Sequence, residues 1–186
     1  MKQFERFGLA MLAAALLAFA APASATTVTS PAGTEYTGEF HATASSSLLM
    51  QAGFVNLTCT ESTIKGRIES NGGATAGGKI STLSFSSCGA TTFDVLINGS
   101  LSIEATGEGK GIVRGSGSQW TTAFFGISCV YGTTTNTTLG TVTGGTPAKM
   151  SIAATLPKIS GGFLCADPAS MSGSYQFTSP STLLVD

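Results

Sequence analysis

Several residues in this sequence are of types and at spacings that chemistry uses. Ser62 and Lys65 have the S-x-x-K spacing, which on a helix presents a serine nucleophile beside a lysine base. Gly73 to Lys79 reads GATAGGK, close to a loop whose backbone N–H groups cradle phosphate while its lysine reaches the same anion. His41 is the one histidine, hence the one imidazole base open to a Ser-His-Asp relay. Glu61, Glu69, Asp94 and Glu104 offer carboxylates from which a glycoside-cleaving pair would be drawn. Cys59, Cys88, Cys129 and Cys165 are candidates for metal ligation or for disulfides.

The elements that must position these groups speak against most of that chemistry. TESTIKGRIES alternates like a strand through Ile64, Gly66 and Ile68, which sends Ser62 and Lys65 to opposite faces. The companion motifs S-D-N and K-T-G are absent from the sequence. Ile80 stands where a phosphate loop needs Ser or Thr, and the strand-like ISTLSFSS follows where a helix N-terminus should meet the anion. GEGKG at 107–111 reads likewise as a turn. His41 sits between Phe40 and Ala42 in a strand pattern, with no G-x-S-x-G elbow in the chain. Each carboxylate falls on the polar side of an alternating run, where solvation explains it. Zinc would want a C-x-x-C pair or a nearby histidine, and neither is present. The sequence thus predicts no catalytic residue, no cofactor and no metal site.

Four cysteines instead predict two disulfides in an oxidising compartment. Three connectivities exist. Cys59 with Cys88 and Cys129 with Cys165 is the favoured one, because each pair closes a local segment and staples half of the chain. The N-terminus agrees with export. MKQFER is a charged start, FGLAMLAAALLAFAA an apolar run, and ASA a small-residue cleavage box, so residues 1–25 read as a secretory signal and Thr26 as the mature N-terminus. The apolar run is shorter than the roughly 20 residues that span a bilayer, so no transmembrane segment is expected after cleavage. Residues 26–186 are expected to form one secreted domain.

Hydrophobic periodicity in that domain is two. Phe93, Val95, Ile97, Gly99, Leu101, Ile103 and Ala105 alternate with Asp94, Asn98, Ser100, Ser102 and Glu104, as in one strand or two strands joined at Asn98-Gly99; Leu96 is the exception. Met150, Ile152, Ala154 and Leu156 repeat the pattern. Gly-rich turns at 71–73, 77–78, 106–109, 144–145 and 161–162 separate such runs, and SSSLLMQAG is open to a helical turn, a strand edge or a loop. About nine or ten strands without alternating helices predict an all-β fold, an antiparallel sandwich of immunoglobulin-like or jelly-roll type, with a closed β-barrel as the alternative. Trp120, Phe124 and Phe125 are assigned to core packing, since at most alternate members face outward. The sequons at Asn56, Asn98 and Asn136 are read as chance in a Ser/Thr-rich chain.

Of 186 residues only 10% are charged, with 9 basic against 10 acidic and a formal net charge of -1. Nucleic-acid binding, which neutralises many phosphates together, is thereby excluded. Uncharged tracts such as GTTTNTTLGTVTGGT leave strand edges poorly guarded, so self-association is expected. LTC at 57–59, SFSSC at 84–88, FGISCVYG at 125–132, LGTVTG at 139–144 and the closing GSYQFTSPSTLLVD resemble the secreted bacterial activator of alkane oxidation family. The resemblance implies a biofilm-associated extracellular protein and a hydrophobic surface or hydrocarbon as partner, and carries over no functional residue beyond the cysteines. The leading expectation is a non-enzymatic secreted or cell-surface protein that adheres, self-assembles or contacts hydrophobic substrates such as alkanes. Two alternatives are kept. One is a pilin-like subunit completed by a donated strand such as Thr26–Phe40, although TSPSTLLVD lacks the aromatic ending that reading wants. The other is a small secreted hydrolase or apolar-ligand carrier.

Overall fold

The computed structural model describes residues 25–186 except 32, 54, 90, 91 and 125. Apart from Ala25, the segment read as a signal lies outside the described residues, as does Phe125. Strands are numbered in chain order. Eight of them, β2 (Glu39–Ala44), β5 (Glu61–Ser70), β6 (Ala76–Ser86), β8 (Ser100–Gly107), β9 (Lys110–Ser116), β12 (Thr137–Thr143), β13 (Lys149–Leu156) and β15 (Ala169–Ser179), close into an antiparallel barrel. The order around it is β13-β12-β9-β8-β6-β5-β2-β15, and β15 pairs back onto β13 from Lys149↔Gln176 to Leu156↔Ala169. That last ladder decides the architecture. It joins what would have been the edges of an immunoglobulin-like or jelly-roll sandwich, so the closed-barrel alternative is the one realised.

Alternation places the apolar side chains inside. Met150, Ile152, Ala154 and Leu156 of β13 are all buried, while Lys149, Ser151, Ala153 and Thr155 face out. Full burial of a side chain such as Leu156 contributes about 1.5–3 kcal/mol. Polar-out and apolar-in is the reverse of the arrangement on a lipid-facing barrel. Two cavities of about 20 and 40 Å³ remain in the core, enough for a few water-sized molecules. An eight-stranded barrel is of the width that side chains fill. Phe40 lies over Gly66, its cross-strand partner, where a Cβ would come within 2.6 Å of the ring.

Three additions complete the fold. The hairpin of β3 (Leu48–Ala52) and β4 (Val55–Cys59) continues the barrel wall beside the first half of β15, so SSSLLMQAG yields a strand. β1 (Val28–Thr29) pairs with β16 (Leu184–Val185) across one end of the barrel, with Val28, Leu183 and Val185 fully buried. A second sheet, β14-β11-β10-β7, is built from β7 (Thr92–Ile97), β10 (Gln119–Phe124), β11 (Ile127–Gly132) and β14 (Lys158–Gly161). Its inner face carries Phe93, Trp120 and Tyr131 into the core, where the Phe85 and Phe93 rings meet edge-on at 4.3 Å.

The run from Phe93 to Ala105 is therefore two strands in different sheets. Between them Gly99 takes a φ of 72°, and a Cβ there would lie 2.5 Å from the Ser118 nitrogen. Asn98 accepts from Leu83 N–H at 3.0 Å and donates to Ser81 C=O at 2.9 Å, occupying the edge of β6 that β8 leaves unpaired. Ile97, expected to face inward, is half exposed because β7 shifts register against β10 at Gln119/Trp120.

Candidate functional site

The residues with chemical potential do not converge. Ser62 points into the core and Lys65 out to solvent, as strand alternation requires. Ser62 Oγ donates to Ser84 C=O at 2.7 Å and stands 2.7 Å from the Tyr175 hydroxyl, which therefore donates to it. Burial pushes the Tyr175 phenol up to about 12, with the Ser62 bond pulling weakly the other way. This buried relay joins β5, β6 and β15.

The GATAGGK segment is a turn followed by β6. The Gly73 carbonyl accepts the Thr26 N–H at 2.6 Å, and Lys79 lies outside, 3.6 Å from Glu69. GEGKG is the β8–β9 turn, with Glu108 and Gly109 at φ of 56° and 71°. His41 is half-buried on β2 opposite Lys65, and its Nε2 has no hydrogen-bond partner among the described residues. The carboxylates are dispersed. Glu104 pairs with Arg114 at 3.0 Å, Glu69 with Lys79, Glu61 accepts from Ser86 at 2.9 Å, and Asp94 lies on β7 opposite Thr121. Among the described residues no group of three His, Cys, Asp or Glu could hold a metal, and no helix is long and apolar enough to cross a membrane.

The cysteines pair in the favoured connectivity, Cys59 with Cys88 and Cys129 with Cys165. Two disulfides fit an oxidising environment. By chain entropy their sequence separations of 29 and 36 are worth about 3.6 and 3.8 kcal/mol. Of the candidate donated strand Thr26–Phe40, the described residues Thr26, Val28, Thr29, Glu39 and Phe40 pair within their own chain. Thr27 N–H donates to Asp186 C=O and Asp186 N–H returns to Thr27 C=O, at 2.6 and 2.8 Å, while the Thr26 hydroxyl donates to Ala74 C=O at 3.0 Å.

The Gly161-Gly162 turn expected from the sequence begins at the end of β14, but the apolar pair Phe163-Leu164 beyond it was not singled out. Gly162-Phe163-Leu164-Cys165 is closed by a bond from Cys165 N–H to Gly162 C=O at 3.1 Å and stapled to β11 by the second disulfide. Lys158 Nζ donates to Cys165 C=O at 3.2 Å, and the Tyr131 hydroxyl donates to Ala166 C=O at 3.0 Å. Burial, reinforced by Asp167, raises the Tyr131 phenol above its ordinary value. On this fixed support Phe163 is 94% exposed and Leu164 42%. Leu164 shares a small cleft with Ala52, Val55, Phe124 and Ile127, which shows that the β3–β4 and β10–β11 turns reach the same end of the molecule. The available signal was GGFLC itself, an apolar pair between glycines and a cysteine that obeys no strand alternation.

Other exposed apolar side chains are Leu49 on β3, Leu96 and Ile97 on β7, and Ile159 on β14. The outer wall of β12, β13 and β15 presents Thr141, Ser151 and Ser174 in one cross-strand row. With Ser45, Thr143, Lys149, Met150 and Gln176 they line an open hollow of about 350 Å³, whose lining holds no His, Cys, Asp or Glu. No protein-family model, no curated protein and no solved structure matches this chain.

Proposed function

We propose that this chain is a secreted, non-enzymatic protein that works through its outer surface, adhering to hydrophobic material outside the cell. The observation that carries the reading is the division between a filled interior and a weakly charged exterior. The barrel core leaves about 20 and 40 Å³, too little for a hydrocarbon chain or a sugar, whereas six large apolar side chains among the described residues stand exposed outside. The signal-like N-terminus and the two disulfides support export, and the resemblance to activator of alkane oxidation proteins supports hydrophobic material as the target. Low charge supports a second component of the same behaviour, association between copies, since few like charges oppose it.

The test is depletion of the disulfide-intact mature chain from water by hexadecane droplets, with sedimentation velocity on the same sample. Adsorption to the droplets is expected. A chain that stays in the aqueous phase and remains monomeric at every concentration sinks the proposal.

A further inference from the structure

The exposed apolar residues are not equivalent, and charge separates them. Ala52, Val55, Phe124, Ile127, Leu164 and Cys165 share one cleft at one end of the molecule, and of the described residues at 52–53, 55, 124, 126–127 and 161–167 only Asp167 is charged. Asp167 is itself engaged, its Oδ1 accepting the Lys158 N–H at 3.1 Å. The one cation nearby, Lys158, directs its Nζ at the Cys165 carbonyl. Phe163 projects from this end on a turn held by a disulfide and by bonds to Gly162, Cys165 and Ala166. A phenyl ring 94% exposed to water leaves its apolar area uncovered. A residue presented so costs little conformational entropy on contact, because the backbone beneath it is already fixed.

We infer that the Phe163–Leu164 turn is the element that enters an uncharged hydrocarbon surface, with the barrel standing off from it. The inference rests on the adhesive reading above and deepens it by naming the contact and the class of surface. The occupant follows from the charges. An anionic headgroup layer is recognised by a basic cluster, and this end has none. A second copy docked end to end would bring two protruding rings together without a recess to receive either, since the cleft beside Leu164 measures only about 20 Å³. A neutral, deformable apolar phase needs neither charge nor a matching pocket. Contact through this turn is driven by removal of apolar area from water, so added salt leaves it undiminished.

The experiment measures partition of the full disulfide-intact chain onto hexadecane droplets for wild type, Phe163→Ser, Phe163→Leu and Leu96→Ser. Leu96 is 54% exposed on β7, so its substitution controls for loss of apolar surface elsewhere on the second sheet. Phe163→Ser is expected to lower partition about tenfold, equivalent to about 1.4 kcal/mol, with Phe163→Leu and Leu96→Ser within about threefold of wild type. Raising salt from about 0.05 to 0.5 M should leave wild-type partition at least as strong. Wild-type adsorption that Phe163→Ser does not weaken overturns this inference and leaves the adhesive reading standing; absence of wild-type adsorption overturns both. Tighter binding to phosphatidylcholine vesicles than to droplets, or a dimer in sedimentation that Phe163→Ser dissolves, also overturns it by naming a different occupant.

Discussion

Replacing Tyr175 by Phe tests the buried relay and its pH dependence together. The Tyr175 hydroxyl donates to Ser62 Oγ, and Ser62 keeps its own donation to Ser84 C=O when the phenol is gone. The loss at neutral pH is therefore that of one net hydrogen bond, about 1 kcal/mol. Alkali reverses the order of stabilities. The folded protein holds the Tyr175 proton up to about pH 12, whereas the unfolded chain releases its tyrosine proton near the ordinary 10.0. Between those values the folded state binds more protons, so stability present below pH 10 falls as pH rises. That loss reaches about 2.3 kcal/mol at pH 12 and approaches about 2.7 kcal/mol only at higher pH. Tyr175→Phe lacks this loss, so its stability should cross that of wild type between about pH 10.5 and 11 and exceed it by about 1.3 kcal/mol at pH 12. Urea unfolding followed by circular dichroism from pH 8 to 12 gives the difference directly, because the two proteins differ only in the Tyr175 hydroxyl. Curves that stay parallel over that range refute the assignment of a buried, proton-holding Tyr175.

Other expectations follow from the same contacts. Asn98→Ala should cost about 1–3 kcal/mol, since it strands Leu83 N–H and Ser81 C=O at the β6 edge, and Leu83 amide exchange should accelerate; unchanged exchange would contradict that role. Replacing Cys129 and Cys165 together by Ala should remove about 3–4 kcal/mol and open the Phe163 turn to chymotrypsin, so equal cleavage of variant and wild type would show that the staple does not hold the turn. Lys79→Gln should cost less than about 1 kcal/mol, because its partner Glu69 is 3.6 Å away and both are solvent-exposed. A larger loss in thermal unfolding would assign Lys79 a role that its position does not show.

Strand identity and facing were legible because alternation is a local property. Met150, Ile152, Ala154 and Leu156 need only their own spacing to declare a buried face. The disulfide pairing was legible for a similar reason, as each bridge closes a short stretch of chain. The separation of β7 from β8 was not, since Asn98-Gly99 has the composition of a hairpin turn while its actual bonds run to Ser81 and Leu83. Nor was the exposure of Ile97, which depends on a register shift against a strand more than twenty residues away.

The same division holds for function. The sequence by itself determined that the chain is weakly charged, pairs its cysteines locally and is built of strands. Only the tertiary structure decided that the sheet closes, because closure depends on β15 reaching β13 and on side chains from eight strands filling one lumen. It alone gathered the uncharged turns at one end and left Phe163 in solvent. Burial is a property of what neighbouring segments cover, and no spacing within GGFLC states what lies across from it.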